Sequence, residues 1–211
     1  MNSYVISNVT IVTPDRCIDH ANILISNGII QKISQESISC ETVLDGHGAY
    51  AMAGFIDVHT HGCMGIDVNG ATPKDFQTMA SHYASWGVTG FLPTVLSDSV
   101  EATKKYLSNI ADASQNLTTG SKIIGIHLEG PFLSPDYKGA MPECFLRQPD
   151  LALFDTFYSA SQGMLKLMTC APELTHMEEL ILHATKKNVV ISIGHTGATY
   201  EQAKKMIKVG A

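Results

Sequence analysis

From residue 53 onward the chain repeats one grammar, an apolar strand, a polar loop and an amphipathic helix. Gly54-Phe55-Ile56-Asp57-Val58-His59 reads as a buried-type strand. Residues 73–86 then place Phe76, Met79, Ala80, Tyr83 and Ala84 at helical spacing, behind the N-cap candidate Thr72 and Pro73. The same reading gives strands at 89–95, 122–129, 165–171 and 189–195, with helices at 99–113, 150–161, 175–187 and 199–209 and a long loop at 130–149. Near-continuous apolar strands alternating with helices imply a parallel sheet covered by helices. Five such βα units suit a doubly wound sheet, or part of a (β/α)8 barrel, which needs about 250 residues.

Residues 1–52 read differently. Tyr4–Ile6, Val9–Val12, Ala21–Ile25 and Gly28–Ile33 are short, β-branched runs separated by Pro14-Asp15, Ser26-Asn27-Gly28 and Asp45-Gly46. No helical period appears. The expected organisation is a small β domain over 1–52 followed by an α/β domain over 53–211.

Composition narrows the functional classes. Lys and Arg number 14 against 20 Asp and Glu, a net charge of −6, which argues against nucleic-acid binding because phosphate affinity rests on clustered cations. No apolar run reaches the roughly 18 residues of a membrane span, and Met1-Asn2-Ser3-Tyr4 lacks the basic start of a signal peptide. A cytoplasmic protein is expected. Five scattered cysteines without a CxxC pair read as reduced, structural thiols.

Parallel α/β folds build their sites at the C-terminal ends of the strands. The polar clusters at those ends are His59-Thr60-His61, His127-Leu128-Glu129, Ala171-Pro172-Glu173 and Gly194-His195-Thr196-Gly197. Residues i and i+2 of a strand face one way, so His59 and His61 can share a metal ion. Glu129 adds a carboxylate and His195 another imidazole, a nitrogen and oxygen set that suits zinc, iron or manganese. His127 shares the face of Glu129 and reads as a supporting or packing residue. Cys63 is a weaker ligand candidate, while His20, His47, His82, His176 and His183 read as ordinary surface or boundary residues.

These residues carry a resemblance. Gly54-Phe55-Ile56-Asp57-Val58-His59-Thr60-His61-Gly62 is similar to the first-strand signature of the amidohydrolase superfamily. The runs His127-Leu128-Glu129-Gly130-Pro131-Phe132, Lys138-Gly139-Ala140, Ala171-Pro172-Glu173 and Gly194-His195-Thr196-Gly197-Ala198-Thr199 resemble its N-acetylglucosamine-6-phosphate deacetylase family. The resemblance implies a partial (β/α)8 barrel of five βα units behind a small β domain, and a homodimer. It implies one or two divalent ions held by Glu129, His195, His59 and His61, with backbone groups of Ala140 and Met141 meeting the substrate. Some members carry a histidine where this chain has Met141.

The implied reaction is hydrolytic removal of the acetyl group from a small phosphorylated amino sugar, giving acetate and glucosamine 6-phosphate. Lys138 and Arg147 are the nearby cations for a phosphate. A further metal histidine and the catalytic Asp are implied beyond residue 211, so no catalytic residue is expected within these 211 and activity of this chain by itself is doubtful. Five barrel strands would also leave two open edges, and a swapped, molten or insoluble state is the expectation for the isolated piece. The alternatives are an inactive fragment, or a cyclic-amide or amine hydrolase of the same superfamily. The latter commonly uses a carboxylated Lys at the fourth strand's end, and here the nearest, Lys166, lies at that strand's start.

Overall fold

The computed structural model describes residues 3–211, so Met1 and Asn2 of the expected β domain lie outside the described residues. The chain divides into two compact units, one ending at Gly54 and the other spanning Phe55–Ala211.

The first unit holds β1 (Ser3–Val12), β2 (Cys17–Ser26), β3 (Ile29–Ser34), β4 (Val43–Asp45) and β5 (Tyr50–Ala51). The sheet order is β3-β2-β1-β4, with β5 also on β1. The two runs expected before residue 13 form the single strand β1. Its pairing with β2 shifts register between Ile6 and Val9, and Asn8 sits at φ 54°, so a bulge absorbs the polar interruption without ending the strand. The bulge also anchors the β4–β5 turn, because Ser7 and Asn8 carbonyls accept from the Gly46 (2.7 Å) and Gly48 (2.8 Å) amides. Val9, Ile11, Ala21 and Ile23 alternate inward to make a small core.

The second unit begins with β6 (Phe55–Thr60), the short ribbon β7 (Gly62–Cys63) and β8 (Ile66–Asp67), then α1 (Pro73–Ser85), β9 (Val88–Leu96) and α2 (Val100–Asn116). It continues through β10 (Lys122–Ile123), β11 (Ile126–Glu129), α3 (Leu151–Ala160), β12 (Leu165–Cys170), α4 (Met177–Lys186), β13 (Val190–Ile193) and α5 (Tyr200–Val209). The helices start where capping residues stand. The Thr72 amide donates to Asp75 (2.8 Å), Asp150 accepts from Ala152 and Leu153, and Thr199 exchanges bonds with Gln202.

Strand pairing decides between the two parallel architectures. β6, β9, β11, β12 and β13 neighbour one another in chain order, all parallel. A doubly wound sheet reverses its order at a switch point, whereas sequential winding is the arrangement of a barrel. The core is layered between sheet and helices, with Phe91, Val95, Leu128 and Met168 of the strands against Phe76, Leu107, Ile110, Phe154 and Leu180 of the helices. Each such side chain contributes roughly 1.5–3 kcal/mol by leaving water.

Two expectations need correction. The strand expected over 122–129 is broken into β10 and β11. Both pair with β9, β10 at Gly90–Phe91 and β11 from Thr94, and between them stands Pro93, which has no N–H for a ladder. The second correction concerns β6. Its apolar side chains are exposed, Phe55 by 59%, Ile56 by 62% and Val58 by 50%, because its only strand partner among the described residues is β9.

Candidate metal centre

Three strands and two loops bring the chemistry together at the C-terminal end of the sheet. At the end of β6, Thr60 is buried between His59 and His61. Its amide donates to the Thr94 hydroxyl (2.9 Å), and its hydroxyl lies 2.5 Å from that of Tyr83 in α1. Burial pushes the Tyr83 phenol up to about 12, so it stays a neutral hydrogen-bonding group. With Thr60 held on the helix side, the strand alternation turns both imidazoles the other way.

They meet Glu129, the last residue of β11, which is only 6% exposed. Its Oε2 lies 3.1 Å from His61 Nε2 and 4.0 Å from His59 Nε2, and its Oε1 lies 2.9 Å from His195 Nε2. Among the described residues, every ion-pairing partner of this carboxylate is an imidazole. One ligand atom each from His59, His61 and Glu129 falls within 4.8 Å of the others, so the three can hold a metal ion.

The tautomers strengthen the fit. His61 Nδ1 faces the Thr94 carbonyl (3.2 Å) and His195 Nδ1 faces the Tyr137 carbonyl (2.9 Å). A carbonyl only accepts, so both Nδ1 atoms carry the proton. That leaves Nε2 of each ring facing the Glu129 carboxylate. An Nδ1–H bonded to a carbonyl is how metal-binding histidines are usually oriented.

His127 stands behind this group, 2% exposed. Nδ1 reaches the Val58 carbonyl of β6 (3.2 Å) and Nε2 the Thr169 hydroxyl of β12 (2.8 Å), so one ring ties together strands on either side. Burial, then the nearby His59, pushes it down to about 4. It is a neutral strut in keeping with the supporting role expected from its position.

His195 follows β13 at φ 50° and is gripped by the 130–149 loop, where its carbonyl accepts from the Ser134 amide (3.1 Å). The same loop carries Ala140 and Met141. Ala140 is exposed beside Gly139, which lies against the His195 ring. Met141 is buried, and its amide donates to the Lys138 carbonyl (3.2 Å). The Arg147 guanidinium donates to the Cys144 (2.7 Å) and Leu146 (2.8 Å) carbonyls, so its nearest partners are its own loop. Cys63 falls outside the metal-holding group, and all five cysteines are free thiols.

The partners that sequence reasoning did not reach are the Thr94, Tyr137 and Val58 carbonyls, and the Glu173 carboxylate that accepts from the Thr196 hydroxyl and the Gly197 amide after His195. Backbone carbonyls leave no sequence signal. Glu173 was visible as a strand-end acid, but not its contacts.

Comparison with known proteins places the chain in a family. A 31% identical relative over 215 residues is the N-acetylglucosamine-6-phosphate deacetylase of Bacillus subtilis, of which the match covers 54%, and 99% of this chain. The N-acetylgalactosamine-6-phosphate deacetylase of Escherichia coli O157:H7 is 30% identical over 201 residues, covering 95% of this chain and 52% of the relative. The crystal structure of N-acetylglucosamine-6-phosphate deacetylase from Thermotoga maritima superposes with a TM-score of 0.80 at 34% identity, covering 98% of this chain and 52% of that one. The chain thus spans about half the length of the curated relatives it matches. The amidohydrolase family model matches residues 50–211, which include every strand and helix from β6 to α5, and the chain belongs to the amidohydrolase family.

Proposed function

We propose that this chain supplies the metal-holding part of an enzyme that hydrolyses the acetamido group of N-acetylglucosamine 6-phosphate, releasing acetate and glucosamine 6-phosphate. The observation that carries the reading is the buried Glu129 carboxylate faced by the Nε2 atoms of His59, His61 and His195. The names of the relatives support the substrate class.

In this reading Glu129 and His195 hold a divalent ion, and His59 and His61 hold it with them or hold a second. Zinc, iron and manganese all suit the donor set. When bound, the ion supplies a nucleophilic water at neutral pH and polarises the amide carbonyl. The chain's own residues do the positioning. Thr94 and Tyr137 carbonyls fix His61 and His195 with Nε2 forward, while His127 holds β6 and stays neutral. Ala140 is open to solvent beside His195, and backbone groups of Ala140 and Met141 are the ones assigned to the sugar; Lys138 and Arg147 are the nearby cations for its phosphate. The resemblance assigns proton transfer to an Asp outside these residues. The remaining parts of the reading are a cytoplasmic homodimer; among the described residues no helix is long and apolar enough to cross a membrane.

The test measures intact mass, metal binding and acetate release on one purified sample, with Zn2+, Fe2+ or Mn2+ and with both the gluco- and galacto-configured substrates. At 22.8 kDa the reading stands or falls by metal binding that Glu129→Gln strongly weakens; above that mass it stands or falls by metal-dependent acetate release. Faster release from the galacto sugar would reassign the substrate to the C4 epimer.

A further inference from the structure

We infer that Glu173 is the positioning residue for His195, an inference that rests on the metal-centre reading above. Glu173 follows β12, and His195 follows β13, the neighbouring parallel strand. The two loops leave the sheet side by side, with the Gly194 amide still bonded to the Cys170 carbonyl (3.2 Å). Beyond that bond the ladder ends, and the Glu173 carboxylate takes over. Oε1 accepts from the Gly197 amide (2.7 Å) and Oε2 from the Thr196 hydroxyl, whose oxygen in turn accepts from the Ala198 amide (2.8 Å).

His195 needs such a clamp. It sits at φ 50°, in the left-handed region that a side chain disfavours, and such a conformation persists only where its surroundings over-determine it. The 130–149 loop holds the residue on one side, through Ser134 to its carbonyl and Tyr137 to its Nδ1. Glu173 holds the two residues that follow it on the other. The two grips meet at Gly197, where a Cβ would come within 2.4 Å of the Tyr137 ring. The turn clamped by Glu173 is therefore packed against the residue whose carbonyl aims the imidazole.

Glu173 is not spent on anything else. Among the described residues no Lys, Arg or His nitrogen lies within ion-pair distance of it, although an acid ahead of α4 has His176 for a near neighbour in sequence. Both of its oxygens serve the turn after His195. A carboxylate that accepts from a backbone amide and a hydroxyl makes the stronger, charge-assisted class of hydrogen bond, suited to fixing a loop.

The experiment is a Co2+ titration of the full 211-residue chain, followed by the visible spectrum of the bound ion. Wild type, Glu173→Ala, His195→Ala, the double variant and Glu173→Gln are compared. Loss of a group that orients a ligand typically costs about 10–100-fold in metal affinity, which is the loss expected for Glu173→Ala. If Glu173 acts through His195, the double variant binds within about twofold of His195→Ala, and Glu173→Gln, which keeps an acceptor for Gly197, recovers part of the loss. Additive losses in the double variant, or a Glu173→Ala affinity within about twofold of wild type, overturn the assignment. Should Glu173→Ala fail to fold by circular dichroism, Thr196→Val removes the hydroxyl that donates to Glu173 and accepts from the Ala198 amide. It should weaken Co2+ several-fold in the wild-type background and not in His195→Ala, and an unchanged affinity overturns the proposal. A wild-type chain that binds no Co2+ defeats the metal-centre reading itself, and this inference with it.

Discussion

β6 and β11 send their functional side chains to the same point by opposite means. β11 lies between β9 and β12, and all of Ile126–Glu129 is buried. Its backbone is held by ladders on both sides, so Glu129 is placed by the sheet itself. Among the described residues β6 has β9 on one edge only, and that ladder lapses between Asp57 and Thr60, where His59 stands. Side chains make up the difference. Asp57 accepts from the His59 amide (3.1 Å), Thr94 from the Thr60 amide (2.9 Å), and the Val58 carbonyl accepts from His127 (3.2 Å). Backbone groups have to be paired somehow, and here polar side chains of β6 itself, β9 and β11 do it. The carboxylate end of the site is built into the core, whereas the HxH end is tied on.

The largest effect that would break this comparison lies in β11. Leu128→Ala removes a side chain with no exposure from the layer between sheet and helices, and should cost about 2–5 kcal/mol in urea unfolding. A cost under about 1 kcal/mol would mean that β11 is no more embedded than β6. Next comes the site itself. Glu129→Gln removes the anion on which three imidazoles converge and should weaken Zn2+ binding by about 3 kcal/mol, over 100-fold, read by calorimetry. His59→Ala should cost less, because its imidazole stands 4.0 Å from the carboxylate and is half exposed. Reversal of that order would place the weight of the site on the edge strand.

A smaller effect probes the ties. Thr94→Val keeps the shape of a fully buried residue but deletes the acceptor of the Thr60 amide. An orphaned buried amide costs about 1–3 kcal/mol, and the variant should lose metal affinity along with stability. Lost stability with metal affinity intact would show that β6 needs no such tie to present its histidines.

The same contrast explains what could be read in the sequence. His59, His61, Glu129 and His195 were legible because they occupy strand ends, where alternation and parallel topology fix direction. The helices were legible from spacing and caps, as at Thr72-Pro73 and Thr199-Gln202. The burial of β6 was not. Phe55, Ile56 and Val58 are as apolar as Ile126 and Leu128, and composition reports what a residue prefers, while burial depends on whether a neighbour is there to cover it. β4 and β5, three and two residues long, are too short to show any period, and both are defined by their pairing with β1. The break before β11 could have been found from Pro93, but only once β9 was known to lie beside it.

The smallest expected effect is the sharpest test of the edge. Ile56 and Val58 are separated by two positions, so they share one face of β6, and both are at least half exposed. Ile56→Thr and Val58→Thr keep β-branching and should each change stability by no more than about 0.5 kcal/mol, the usual range for surface substitutions. An open apolar edge also invites pairing with another chain, so the double variant should lower the apparent mass of the chain in light scattering at high concentration. The two readouts separate the causes. Unchanged stability with reduced association is what an open edge gives. A loss of 1–3 kcal/mol per substitution, the scale for a covered apolar side chain, would show that this face is packed in solution. β6 would then be a second buried strand, and its side-chain ties would be reinforcement of a ladder rather than a replacement for one.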